Sequence, residues 1–293
     1  EQLRPVTRAL DGERQLLALA TDWRINRDSV LEAEIEWSHK SQPSQAGFSL
    51  LGGTLPAPAD PRINLNNQPW SQPSVFDALT GTLRFEQAIN SQTRWSAQLG
   101  SQTLKTDDRL AYAFGCSAEG NFDRYCSDGT FDFYDFRSDG ERRRQQAAGA
   151  NLKGRITAGA VAHDLAFGLL SSTVRNRFNR QAYNYVGTGN VLGTAMVPAD
   201  PSLTDESTNR DEKSLELSVQ DAIRWNDRFT TWLGLRHTRL DRGYGQSFTT
   251  PWLALSHQLD DAWMAYGSWG EGVESAVVPG LPMYTNASQV LPA

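Results

Sequence analysis

From Ser29 to Lys40 the chain reads SVLEAEIEWSHK, in which Leu31, Ala33, Ile35 and Trp37 alternate with Glu32, Glu34, Glu36 and Ser38. Successive side chains leave a pleated backbone on opposite faces, so period-two alternation predicts a strand. The pattern recurs in about ten segments along the chain. Gly12 opens the first, where Leu17, Leu19, Thr21, Trp23 and Ile25 alternate with Ala18, Ala20, Asp22 and Arg24. Further strands are predicted from Val75 to Glu86, around Trp95 to Gly100, over QQAAGANLKGRI after Arg144, over VAHDLAFGLL, from Lys213 to Trp225, from Arg228 to Leu240, and as a hairpin from Pro251 to Trp269.

The connections alternate in length. Tight polar turns are predicted near residues 27, 90, 159, 226 and 260. Between them lie long loops: a proline-rich one from about Ser41 to Ser74, an acidic one from Asp107 to Asp139, and a third from about Ser172 to Glu212. A shorter outer loop is predicted from Asp241 to Thr250. Strands of a membrane barrel have short periplasmic turns and long extracellular loops. Tryptophans support this: Trp23, Trp95, Trp225 and Trp263 sit beside short turns, while Trp37 and Trp269 sit farther along, as two aromatic girdles would. The fold predicted is therefore all-β, a portion of an antiparallel up-and-down transmembrane β-barrel. One residue breaks the pattern, because Asp221 falls on the apolar face with Leu217, Val219 and Ile223. A bulge that shifts the face or a nearby partner would each accommodate it.

Composition narrows the classes. No apolar run approaches the length of a membrane-spanning helix, and mean hydropathy is −0.51, as expected when only alternate residues meet lipid. A net charge of −6 argues against a nucleic-acid partner, which requires a basic footprint. From Asp107 to Asp139 eight acids face three arginines, leaving −5 in one loop. Both cysteines, Cys116 and Cys126, lie in that loop. An isolated pair there predicts a disulfide and an oxidising compartment; a metal site is the lesser reading, since two thiols do not complete a zinc ligand set. His39, His163, His237 and His257 fall in strands or at their ends and are read as ordinary strand histidines. With no G-x-S-x-G elbow and no HExxH, an enzyme is not predicted; the glutamate row reads as a hydrated lumen wall. No apolar leader segment is visible at the start.

The segments TTWLGLRHTRLD, FTTPWLALSHQLDDAWMAYGSWGEGV and PMYTNASQVLPA carry a family resemblance. Gly234 to His237, Thr250 and Pro251, Met264 to Trp269, and Leu291 with Pro292 resemble successive elements in the barrel of TonB-dependent outer-membrane receptors of the ferric-siderophore class. Earlier segments, including RQAYNYVGTGNV and the paired cysteines, are similar to the same family's strands and loops. Family barrels have about 22 strands and a plugged lumen, so the resemblance implies a middle portion of the barrel, without the plug and closing strands. It implies an outer-membrane location and import of a ferric siderophore, energised by TonB through the plug region. The partners expected are the chelate, TonB and outer-membrane lipid; no cofactor or resident metal is expected. Haem uptake is disfavoured, because the paired elements and loop histidine of haem receptors are not apparent. A passive porin or surface-binding barrel is the alternative, and a soluble all-β hydrolase stands behind it.

Aromatic and basic loop residues suit a chelate with an apolar rim and an oxygen-rich iron centre. The candidates are Trp70, Tyr112, Phe114, Tyr125, Phe131, Phe133, Tyr134, Phe136, Tyr183 and Tyr185, with Arg142, Arg143, Arg144, Arg177 and Arg180 for an anionic ligand. Internal packing for the aromatics, and pairing with loop acids for the arginines, are the competing readings. The acidic loop favours a near-neutral hydroxamate complex over a highly anionic catecholate.

Overall fold

The computed structural model describes residues 1–274 together with 285, 286 and 289. The Leu291–Pro292 element lies outside the described residues. Strands alternate along the chain as β1 (Gln2–Leu3), β2 (Gly12–Asn26), β3 (Ser29–Gln42), β4 (Ser74–Ala88), β5 (Thr93–Ala113) and β6 (Thr130–Ala158). They continue as β7 (Val161–Arg177), β8 (Ala182–Asn190), β9 (Arg210–Arg224), β10 (Phe229–Asp241), β11 (Gly245–Gln258) and β12 (Met264–Gly270). All belong to one antiparallel sheet in chain order, except that β8 pairs with β6 and β9 joins β7. The sheet does not close on itself. Ten of these strands, β2 to β7 and β9 to β12, match the expected number, and β1 and β8 are additional.

The faces follow the alternation. Leu17, Trp37 and Leu79 meet across β2, β3 and β4, as do Trp23, Leu31 and Phe85. On the opposite face Glu32 pairs with Arg84, Glu34 with Thr82 and Glu36 with Thr80. Arg84 bridges Glu32 at 2.9 Å and Glu86 at 2.6 Å, so the row of like charges is partly neutralised by the next strand. One face is thus apolar and large-area, with Leu17, Leu19, Trp23 and Ile35 all more than half exposed, and the other is hydrated. The Trp23 and Trp37 rows lie about 20 Å apart along the strand. Tight turns occur at all five expected places. Gly159 opens the two-residue β6–β7 loop at φ 64°, the conformation that primed hairpin turns require.

Three boundaries differ from the sequence reading. The acidic segment is not a loop from Asp107 to Asp139: β5 runs on to Ala113 and β6 begins at Thr130, well before Arg144. The third long loop holds the end of β7 and all of β8. The outer loop after β10 is a tight turn, since Asp241 already pairs with Gly245. Acidic residues are poor strand formers in isolation, but here neighbours cover both faces of the strands and packing overrides propensity.

Candidate functional site

β7 ends opposite Arg142 and β8 resumes opposite Arg137, so the two are one strand interrupted at residues 178–181. With β5 and β6 they form a three-stranded blade projecting beyond the other strands. A bulge marks its base, where the β5–β6 register shifts between Thr106 and Asp108. Gly140 takes φ 70° there and donates its N–H to Asp107 Oδ1 at 2.6 Å.

One face of the blade is a core. Phe131, Phe133, Ala111, Ala113, Tyr125 and Val186 are buried with Leu65 of the proline-rich loop. Phe131 meets Phe133 edge-on at 4.9 Å and Tyr125 at 4.6 Å. The proline-rich loop is held by amides. Asn66 Oδ1 accepts from Ala111 N at 2.8 Å, and Gln68 Nε2 donates to Ala195 O at 2.8 Å while its Oε1 accepts from Val197 N at 2.8 Å. These amide clamps were not singled out from the sequence; the signal was the run INLNNQPW, amides between prolines. At the tip, Cys116 and Cys126 form the disulfide. Cys116, Glu119 and Cys126 are the only grouping of metal-ligating side chains among the described residues, and both thiols are consumed by that bond.

The other face is a shelf of rings. Tyr134 and Tyr183 stack at 4.6 Å and 7°. Tyr112 lies 6.0 Å from Tyr183 and 5.5 Å from Phe114, Tyr185 meets Tyr134 edge-on at 5.9 Å, and Phe136 meets Tyr183 at 6.2 Å. β5 gains no residue along its length, so Tyr112 shares the strand face of Gln98 and Gln102, which line the hydrated wall. The shelf therefore continues that wall past the last membrane-facing row. Burial pushes the Tyr183 phenol up, with Tyr112 next in effect, and burial raises Tyr134 as well, with Asp132 adding to it. Both phenols stay protonated at neutral pH and are available as donors.

The candidate residues thus divide. Tyr112, Phe114, Tyr134, Tyr183 and Tyr185, with Phe136, come together on the shelf. Tyr125, Phe131 and Phe133 belong to the core behind it; Tyr125 donates its hydroxyl to Gly47 O at 2.6 Å, and burial pushes its phenol up to about 12. Trp70 packs against that core and donates Nε1 to Val197 O at 3.0 Å. Arg143 is on the hydrated side and pairs with Glu141 at 2.9 Å. Arg180 pairs with Glu206 at 2.8 Å and Arg177 with Asp211 at 2.6 Å. Arg142 and Arg144 have the parity of Leu152, which faces outward opposite Trp95 and Phe167. They point away from the shelf. Placing all three consecutive arginines against one ligand is incompatible with strand alternation.

The acids of the blade are also accounted for. Asp135 is fully buried and binds Arg137 through both oxygens at 2.9 and 3.1 Å. Asp132 Oδ2 accepts from Ser117 N at 2.8 Å, and Asp139 binds Arg109 at 2.6 Å. Much of the loop's negative charge is spent inside the blade, so it gives no grounds for choosing hydroxamate over catecholate.

A family model described as TonB dependent receptor-like, beta-barrel, matches residues 22–290. The chain belongs to the TonB-dependent receptor family. Similar solved structures agree in fold. The ferric preacinetobactin receptor BauA of Acinetobacter baumannii superposes with TM-score 0.76 at 16% identity, over 99% of this chain and 44% of that one. The ferric-catecholate import receptor Fiu of E. coli K12, in its closed form, gives 0.73 at 12% identity, over 98% and 48%. The ferripyoverdine receptor of Pseudomonas aeruginosa, bound to ferripyoverdine, gives 0.71 at 14%, over 92% and 36%. The chain spans less than half the length of these receptors. Among curated proteins, none matches the sequence.

TonB-dependent receptor barrels are outer-membrane proteins, so the apolar face meets lipid, the tight turns near residues 27, 90, 159, 226 and 260 are periplasmic, and the blade and the tight turn after β10 are extracellular. The odd residue of the pattern, Asp221, then lies on the lipid side. β9 keeps an unbroken register with β7 and β10, so no bulge turns it inward. A partner is present instead: His163 Nδ1 lies 2.8 Å from Asp221 Oδ2, while Oδ1 is buried without a hydrogen-bond partner. His163→Leu is expected to destabilise the barrel by about 2 kcal/mol, and adding Asp221→Leu to recover that loss. Urea midpoints of the full receptor in lipid vesicles would read both; additive losses in the double variant would show that the pair is not coupled.

Proposed function

We propose that this TonB-dependent receptor imports a ferric siderophore, captured first on the extracellular shelf of Tyr112, Tyr134, Tyr183 and Tyr185 with Phe114 and Phe136. The observation that carries this reading is the shelf itself, a cluster of stacked rings on the strand face that runs into the lumen. Ring faces suit the apolar rim of a chelate, and protonated phenols donate to its oxygens. The ligands for which the three similar receptors are named, ferric preacinetobactin, a ferric catecholate and ferripyoverdine, support an iron chelate as the class. Passage through the lumen would be energised by TonB acting on a plug domain. The chemistry asked of the chain is binding and release rather than bond making.

The test is chelate affinity of the full receptor. Tyr134→Ala with Tyr183→Ala removes the central stacked pair and is expected to weaken binding by about 2 kcal/mol, roughly thirtyfold. The measurement uses tryptophan quenching against a panel of ferric hydroxamate, catecholate and mixed chelates. Unchanged affinity for a chelate that the wild-type receptor binds would remove the shelf from the binding site.

A further inference from the structure

We propose that the shelf selects a chelate carrying a cationic amine arm, with Asp205 as the carboxylate that receives the amine. The inference rests on the siderophore reading of the shelf and narrows its ligand class. Its starting point is the segment after β8, which returns along that strand. Gln181 and Asp205 exchange backbone hydrogen bonds at 2.9 Å in both directions, as an antiparallel pair. Residues directly opposite in such a pair point to the same face. Gln181 faces the shelf side, because its Nε2 donates to Ser138 Oγ at 2.5 Å and Ser138 has the parity of Tyr134 and Phe136. Tyr183 is the next residue along that face, so Asp205 stands at the end of the shelf nearest the lumen. Its segment is fixed from behind: Asn184 donates Nδ2 to Asp200 O at 2.9 Å and to Ser202 O at 2.8 Å, and accepts from Thr204 Oγ1 at 2.9 Å.

The uncompensated charge on this side is of one sign. Asp108, Asp132 and Asp205 share the ring face by register, and none has a cationic partner among the described residues. Asp132 accepts from Ser117 N at 2.8 Å and Asp108 from the Ser74 hydroxyl, whereas the Asp205 carboxylate accepts no hydrogen bond among the described residues. Cations are scarce and committed. Between residues 108 and 141, and between 178 and 209, the only basic side chains are Arg109, Arg124, Arg137 and Arg180. They pair with Asp139 at 2.6 Å, Asp123 at 2.8 Å, Asp135 at 2.9 Å and Glu206 at 2.8 Å respectively. Arg210 has no acid partner, but it stands on β9 opposite Asn176, on the membrane side of the blade.

An anionic group on the shelf would therefore meet carboxylates and no free cation of the blade. An ammonium meets the opposite: ring faces of negative potential and one open carboxylate for its N–H donors. The rings are reachable, since Tyr185 is 55% exposed and Phe114 37%. The tyrosines already register the field. Burial is the main reason that the Tyr183 phenol is raised, followed by Tyr112 and Tyr134, and Asp205 adds to it. Asp205 lies outside the acidic segment whose charges are spent within the blade, so it acts on a ligand where those acids do not.

The experiment measures chelate affinity of the full receptor by tryptophan quenching, with one ligand in three charge forms. A linear ferric trihydroxamate ending in a primary amine is compared with its N-acetylated and N-succinylated forms. The arm then runs from cationic to neutral to anionic while the iron centre is unchanged. A ferric tricatecholate with and without an aminoalkyl arm repeats the comparison on a second iron chemistry. The amine form is expected to bind about tenfold tighter than the acetylated form, the scale of an exposed ion pair joined to a cation–π contact, and the succinylated form more weakly than either. The margin should shrink as ionic strength rises, because an exposed pair is screened. Asp205→Asn is expected to erase the amine preference, and Asp123→Asn, which removes an exposed acid paired to Arg124 elsewhere on the blade, to keep it. Equal affinity for all charge forms, with chelate binding intact, would overturn this inference and leave the siderophore reading standing. An amine preference that survives in Asp205→Asn would overturn the role given to that carboxylate. Absence of binding by every chelate in both sets would bring down the siderophore reading, and this inference with it.

Discussion

Asp135→Ala is expected to loosen the extracellular blade by about 3 kcal/mol while leaving the membrane strands folded. Asp135 is fully buried, and its carboxylate is shared between two structures. Both oxygens bind Arg137 on its own strand, and Oδ2 also accepts from Asp200 N at 2.9 Å, tying down the segment that follows β8. Removing it leaves a guanidinium and a backbone N–H without partners in a site that water reaches poorly. Arg137 retains 20% side-chain exposure, which holds the cost to the lower part of the usual range for breaking a buried pair. Limited proteolysis of the full receptor should show new cleavage between residues 191 and 209, with the barrel's heat-modifiable migration unchanged. Asp135→Asn keeps one acceptor for Asp200 and should fall between. Wild-type protection of that segment in Asp135→Ala would show that the ion pair does not hold it.

Gly189→Val is expected to cost a comparable amount, about 3 kcal/mol, by overpacking. A Cβ at Gly189 would sit inside van der Waals contact with Phe131 Cε2 and 2.6 Å from Phe133 Cε2. Neither ring has room to retreat. Phe131 is held between Phe133 and Tyr125, and Tyr125 is pinned to the proline-rich loop through Gly47 O. The effect is steric, since Gly189 does not take a positive φ. Compensation offers the sharper check: Phe131→Leu removes the blocking edge, so Gly189→Ala should cost less in that background than in the wild type. Equal costs in both backgrounds would mean that the clash is relieved by movement elsewhere.

The two variants act on the same unit, which separates the blade from the barrel energetically. Its strands are continuous with the membrane strands, yet its core is built from β5, β6, β8 and two loops distant in sequence. The shelf of tyrosines on its other face depends on that core for flatness, so damage to Gly189 or Asp135 is also expected to lower chelate affinity. Loss of affinity alone therefore does not place a residue on the shelf, and blade integrity has to be read beside it.

Much of this protein was legible in local pattern. Alternation between Leu31 and Trp37, and between Leu165 and Leu169, determined the strands and their two faces, because the period of a pleated backbone is a property of the chain itself. Turn residues such as Asn226–Asp227 and Gly159 determined where the chain reverses. Even the direction of Arg142 and Arg144 is implied by alternation once β6 is known to run through them. Tertiary structure decided the rest. FDFYDFRSDG reads as an acidic loop, and becomes strand because Leu65, Trp70 and Val197 cover one face and a row of rings the other. Which aromatics became core and which became shelf depended on the bulge at Gly140 and on loops docking from more than forty residues away. His163 reached Asp221 only because β7 and β9 are neighbours in the sheet. Those outcomes are set by contacts between segments distant in sequence, and local periodicity carries no information about which segments meet.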